Sequence, residues 1–272
     1  MSDPDGAPPQ RSPREGTSLE AGRLEGGRLD GDDWSSPVVG VLGGLGPAAT
    51  AVFLDVLIRA TSAGSDQEHL DLLVSQHSTT PDRTAGILDP DAADPGPVIA
   101  RDARMLERAG ASLLVLPCNT AHHYALQVES AVTIPLLSIV KTTAEVAVAT
   151  AGDAPVAVFA TEGNIHARVY QDEIERAGGT PWTPDQALQD DVSRLIYEQV
   201  KAGKPVDLTL FESCLDRALA QGAGTVVLGC TELSVAYDQH DYRGDPRLVD
   251  SLTELARITV REGGKELTPA FR

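Results

Sequence analysis

Short apolar runs alternate with amphipathic stretches along most of this chain. The first run, Val38-Val39-Gly40-Val41-Leu42, has the length and β-branched content of a buried parallel strand. Gly43-Gly44-Leu45-Gly46-Pro47 follows as a tight turn, and the pattern predicts a helix over 48–60, with Pro47 tolerated in its first turn. A second strand over 70–75 leads into a polar loop at 77–84 and an Asp- and Pro-rich loop at 89–97. A helix over 98–109 stops at Gly110. A strand at 113–116, a helix over 120–132, a strand at 134–139 and a helix over 140–151 complete a first half. The order then restarts with a strand at 155–161. Helical patterns follow over 163–177, 184–203 and 208–221, then a strand at 225–229, a short buried segment at 247–250 and a closing helix over 251–261. Strands alternating with helices predict an α/β fold of parallel sheets flanked by helices.

Two segments echo each other. Leu113-Leu114-Val115-Leu116-Pro117-Cys118-Asn119-Thr120 and Thr225-Val226-Val227-Leu228-Gly229-Cys230-Thr231-Glu232 each set a cysteine between a buried strand and the start of a helical pattern. The repetition predicts two similar domains related by a pseudo-twofold, one over 37–139 with the closing segment 247–262, the other over 140–246. In such folds the site lies beyond the carboxyl ends of the strands. Cys118, Cys230, the 43–46 turn, the loop carrying Arg83, and Thr161 all fall on that edge. Residues 1–36 show no sustained periodicity and are expected to form a disordered tail.

Composition narrows the functions available. The 272 residues are 42% hydrophobic but only 4% aromatic, so the core is built from Ala, Val, Leu and Ile. A net charge of −18 opposes binding to nucleic acid or to anionic membranes. A small anionic ligand needs local cations against that field, which singles out individual Arg and Lys residues. No apolar run approaches the roughly 20 residues of a membrane span. The chain's start has no signal-peptide pattern, and three cysteines give no disulfide framework. A cytoplasmic protein is expected.

Each chemical signal competes with a plainer one. Gly44-x-Gly46-x-x-Ala49 loosely fits a dinucleotide-binding turn, but the next strand ends in Ser75-Gln76-His77 without the acidic residue that holds a ribose. A turn whose backbone N–H groups approach a carboxylate, with Gly44 as the candidate, competes evenly with a merely structural turn. Cys214 sits among Leu210, Phe211, Leu215 and Ala218 and reads as packing. Cys118 and Cys230 are different, because the positive end of a helix favours a thiolate. Two thiols on opposite sides of a substrate Cα can invert a stereocentre without a cofactor, one as base and one as acid. Zinc held by Cys118, His122, His123 and Cys230 is the rival, but paired Cys-x-x-Cys spacing is absent, so no metal is expected. His122 then reads as a polariser or hydrogen-bond partner near Cys118, and His123 as an ordinary helix residue. Arg83 is a candidate carboxylate clamp, in competition with a salt bridge to Asp82. Lys201 is a helix C-terminal charge by default. Glu232 can cap its helix or support the Cys230 thiol.

Taken together, Gly43-Gly44-Leu45-Gly46-Pro47-Ala48-Ala49-Thr50, Pro81-Asp82-Arg83-Thr84, Pro117-Cys118-Asn119-Thr120-Ala121-His122 and Gly229-Cys230-Thr231-Glu232-Leu233 resemble the aspartate/glutamate racemase superfamily, nearest its aspartate racemase branch. The resemblance runs over about 38–261. It implies a cofactor-independent (PLP-free) amino-acid racemase, commonly a homodimer, with its site between two α/β domains. Carried over by position, Cys118 and Cys230 are the catalytic pair. Asn119, Thr120 and Thr231 bind the substrate's α-carboxylate or amino group, with Thr161 beside them, and Arg83 and Lys201 serve the side-chain carboxylate or catalysis. Two positions depart from the pattern: His77 stands where Asn is usual, and Asn164 where Thr is usual. The departures bear on substrate identity more than on reaction type. Aspartate is the first expectation. A racemase for glutamate or another amino acid, and a catalytically silent amino-acid-binding protein, are the alternatives.

Overall fold

The computed structural model describes residues 37–272, so the tail expected at 1–36 lies outside the described residues. The first half runs β1 (Val38–Gly43), α1 (Pro47–Ala60), β2 (Asp71–Gln76), α2 (Arg83–Leu88), α3 (Gly96–Arg108), β3 (Leu113–Val115), α4 (Ala125–Glu129), β4 (Leu136–Leu137) and α5 (Ile139–Ala151). The second runs β5 (Val156–Phe159), α6 (Glu162–His166), α7 (Gln171–Arg176), β6 (Pro181–Trp182), α8 (Gln186–Ser193), α9 (Leu208–Ala220), β7 (Thr225–Leu228), α10 (Thr231–Gln239), β8 (Leu248–Asp250) and α11 (Ser251–Glu262). Each half holds a four-stranded sheet, ordered β2-β1-β3-β4 and β6-β5-β7-β8, and every pairing is parallel. The two orders are the same order written twice.

Alternation along the strands decides which face meets which layer. Val39, Val41, Leu113 and Val115 of the first sheet share one core with Val156, Val158, Val227 and Val249 of the second. Helices α1, α5 and α11 add Phe53, Leu57, Ile139, Ala144, Leu252 and Leu255, and Tyr170 and Ile174 join them from α7 and its N-cap. The opposite faces bury into separate outer cores, Leu42, Leu114 and Leu116 in the first half, Ala157, Phe159, Val226 and Leu228 in the second. Both faces of the central strands are therefore apolar, which is why they read as continuous hydrophobic runs.

Several boundaries differ from the sequence expectation. Residues 77–84 do not stay a loop, because the Asp82 side chain accepts from Ala85 N at 2.8 Å and starts α2. The helix expected over 120–132 is a 3-10 turn at Thr120–Tyr124 followed by the five-residue α4, where the Ser130 hydroxyl bonds back to Leu126 O at 2.6 Å. The strand expected over 134–139 contracts to β4, because Pro135 has no N–H for a ladder and Ser138 already caps α5. The helix expected over 163–177 breaks at Arg168, which takes a φ of 55°. Beyond α8 the chain widens into a π-helix, Arg194–Val200, with Lys201 as its C-cap. The segment 247–262, expected to close the first domain, instead places β8 in the second sheet beside β7, and α11 packs on both α1 and α5. Among the described residues no helix is long and apolar enough to cross a membrane.

Candidate active site

A narrow cleft lies at the carboxyl ends of both sheets. The loops after β1, β2 and β3 form one wall. The loops after β5 and β7, with the end of the π-helix, form the other. Of the residues singled out in the sequence, Arg83, Cys118, Asn119, Thr120, Thr161, Lys201, Cys230, Thr231 and Glu232 all line it. Leu45, Asp82 and Thr84 line it as well and carried no signal of their own.

The two thiols have unlike settings. Cys230 is the N-cap of α10, a nine-residue helix, and is 4% exposed. Its Sγ–H donates to Glu232 Oε2 at 2.9 Å. Burial pushes this thiol well above its ordinary pKa, the Glu232 carboxylate adds to that, and Lys201 pulls the other way. Cys118 is also buried, but it precedes a 3-10 turn instead of an α-helix. Cys214 lies fully buried in the outer core of the second half, where burial lifts its pKa to about 11.

The cations face the cleft from opposite walls. Arg83 makes no salt bridge with Asp82. Its Nη2 donates to Leu45 O at 2.9 Å and its Nη1 to Pro81 O at 3.1 Å, while its buried Nε–H has no partner among the described residues. Lys201 is not simply a helix-end charge. Burial works against its charge, yet Glu232, Cys230, Tyr197 and Cys118 together outweigh that and hold its pKa above the usual value. Its Nζ lies 4.5 Å from the centre of the Tyr197 ring.

Hydrogen bonds tie the walls together. Tyr197 OH donates to Thr84 Oγ1 at 3.2 Å, and the Thr120 and Thr161 hydroxyls meet at 3.0 Å. Thr161 also caps α6 by accepting from Asn164 N at 3.2 Å. Tyr197 had not been singled out, since only the fold brings it to Thr84.

Two candidates stand away from the cleft lining. Gly44 takes a φ of 87° and its N–H donates to Thr50 Oγ1 at 3.0 Å, so that amide is spent inside the turn. A side chain there would sit 2.5 Å from His77 N, and the glycine is required by this approach. His122 pairs through Nδ1 with the Cys118 carbonyl at 3.0 Å, not with the thiol. Its Nε2 is buried without a partner among the described residues, and burial lowers its pKa to about 4. His77 pairs through Nδ1 with Asp102 Oδ2 at 2.5 Å, outside the lining. No group of three or more His, Cys, Asp and Glu among the described residues is arranged to hold a metal.

A family model described as Asp/Glu/Hydantoin racemase matches residues 42–259. The chain belongs to that family. By that membership the protein is an enzyme, an amino-acid racemase. A broad specificity amino-acid racemase, RacX, of Bacillus subtilis (strain 168) is 26% identical over 227 residues, covering 82% of this chain and 96% of its own. A glutamate racemase of Persephonella marina is 31% identical over 137 residues, 50% of this chain and 52% of its own. Among solved structures, a Picrophilus torridus aspartate racemase superposes with a TM-score of 0.72 at 24% identity, covering 87% of this chain and 98% of its own. The two four-stranded parallel sheets match the two-domain fold of this group.

Proposed function

We propose that the protein racemises an acidic amino acid, aspartate first, without a cofactor, by 1,1-proton transfer between Cys118 and Cys230. The observation that carries this is the cleft itself, with two buried thiols on opposite walls and a cation on each wall. In one direction a thiolate takes the Cα proton and the electron pair stays on the α-carbon. The facing thiol gives its proton to the other side of that carbon and becomes the thiolate. The next turnover starts from the opposite enantiomer or from exchange with water. The Cys230 thiol, donating to Glu232, is poised as the acid. Arg83 is already oriented by main-chain carbonyls, so its free Nε–H can take a carboxylate at little ordering cost. Thr120, Thr161 and Thr231 offer hydroxyls to the amino and α-carboxylate groups.

Aspartate is favoured by two cations in a small cleft. RacX is a broad specificity amino-acid racemase and another relative is a glutamate racemase, so glutamate and further amino acids belong in the same assay. A homodimer in the cytoplasm is part of this reading. It is supported by three buried free cysteines and by Val74 on edge strand β2 and Met105 on α3, both exposed. Light scattering checks the dimer.

The test is L-aspartate in D2O, followed by Cα deuteration and optical rotation. Loss of rotation with deuterium uptake is the expected result. Cys118→Ala and Cys230→Ala should each lower the rate by about 10²-fold or more, while Cys214→Ala leaves it unchanged. Equal activity in all three variants rules out the two-thiol mechanism. Binding of aspartate without exchange in the wild type overturns aspartate as the substrate and moves the assay to glutamate and further amino acids.

A further inference from the structure

Asn119 lines the cleft next to Cys118, yet it is 1% exposed and its carboxamide is tied on two sides. Its Oδ1 accepts from Tyr170 OH at 2.6 Å. Its Nδ2 donates to Ser251 Oγ at 3.0 Å. Ser251 has a single hydroxyl proton, and that proton goes to Leu228 O at 2.7 Å. Ser251 can therefore only accept from Asn119, which requires the amide nitrogen to face it. On the other side the Tyr170 hydroxyl, which also has the Thr143 and Ser251 hydroxyls beside it, donates to Oδ1. The donors run from Tyr170 to a backbone carbonyl, and the Ser251–Leu228 bond sets the orientation of the carboxamide.

That orientation has a chemical consequence. A carboxamide carries two N–H donors, and among the described residues Nδ2 spends one, on Ser251. Asn119 keeps one N–H of Nδ2 and one lone pair of Oδ1 beyond these two bonds. The remaining N–H suits a carboxylate and repels an ammonium group.

Tyr170 itself joins both cysteine segments. It is fully buried, and burial holds its phenol protonated. A Cβ on Gly229 would lie 2.8 Å from the Tyr170 ring. The ring thus passes under the residue before Cys230, while the hydroxyl reaches the residue after Cys118. Tyr170 starts α7 as its N-cap and Ser251 opens α11, so the network joins three elements from both halves.

We propose that Tyr170 and Ser251 are positioning residues that fix the Asn119 carboxamide as a hydrogen-bond donor toward the substrate's α-carboxylate. This rests on the racemase reading above. The network acts on ground state and transition state alike, so its loss should appear in KM and in the dissociation constant, not in kcat.

The experiment measures kcat, KM and the calorimetric dissociation constant for L-aspartate in Tyr170→Phe, Ser251→Ala and Asn119→Asp, each checked for wild-type melting behaviour. Tyr170→Phe keeps the ring under Gly229 and removes only the hydroxyl. Both network variants should weaken binding and raise KM on the order of tenfold while kcat stays within about twofold. Asn119→Asp replaces the donor by an acceptor and should weaken binding further. A fall in kcat with unchanged KM overturns the proposal and makes Tyr170 a strut for the thiols only. Unchanged constants in Tyr170→Phe and Ser251→Ala overturn it as well. A wild type that neither binds nor turns over any acidic amino acid defeats the functional reading and this inference together, whereas a binding wild type with unaffected variants defeats this inference alone.

Discussion

At the scale of single residues, the informative contrast is between two cysteines that look alike in sequence. Both end a buried strand, but only Cys230 has a carboxylate at 2.9 Å. The Glu232 charge favours the neutral thiol, so removing it should lower the Cys230 pKa. If Cys230 is the resting acid, activity falls at high pH as that thiol ionises. Glu232→Gln should therefore move the alkaline limb of kcat/KM to lower pH, and an unmoved limb would mean that Glu232 does not govern the thiol. His122 makes a separate prediction about stability. Its folded pKa is about 4 against an ordinary 6.5, because burial disfavours the charged ring. The unfolded chain then binds more protons between these values, so stability is full above about pH 6.5 and is lost as pH falls toward 4. The shift corresponds to about 3 kcal/mol. Urea unfolding of wild type and His122→Gln at pH 7 and pH 4.5 isolates this share, since other buried acids are common to both. A gap between the two proteins that does not shrink at pH 4.5 would contradict it. The cysteines, Arg83 and Glu232 were legible in sequence because each sits in a short motif with its own chemistry. Tyr170 was not, since a tyrosine in a helical pattern reads as packing, and its partner Asn119 is 51 residues away.

Elements follow the same division. Fully buried strands such as β1 and β7 announce themselves by continuous apolar runs, whereas the two-residue β4 and β6 are too short to show any period. Helix α2 was hidden for a related reason. Its six residues are less than two turns, and the loop-like Pro81-Asp82 ahead of it is in fact its cap. This short helix matters because Arg83 is its first residue. Asp82→Ala should remove about 1 kcal/mol of capping and loosen the Arg83 end of the helix. Faster amide exchange in α2 and a raised KM for aspartate are the expected results, with the melting temperature only slightly lower. Unchanged exchange would mean that Leu45 and Pro81, through their bonds to the guanidinium, hold α2 without the cap.

The whole molecule combines two sheets that repeat one strand order with a core that is not repeated. Inner faces of both sheets bury against α1, α5 and α11 together, so this central core belongs to neither half alone, whatever outer core each half has. The duplication was visible in the sequence because the cysteine segments echo each other. The shared core was not, because alternation tells which residues are buried but not which sheet lies opposite. Two halves joined this way should unfold in one step, although a chain of this length could have held two independent domains. Trp182 on β6 reports the second half by fluorescence once Trp34 is replaced by Phe, and exchange of the β1 amides reports the first. Their urea midpoints should coincide. Leu255 is fully buried in the common core, and Leu255→Ala should cost about 2–5 kcal/mol and lower both midpoints together. A variant that moves only one midpoint would show that the halves fold separately. The cleft between them would then be a hinge between two bodies, and the distance from Cys118 to Cys230 would vary with its opening. A single cooperative step would instead mean that the packing which folds the protein also fixes the spacing of the two thiols.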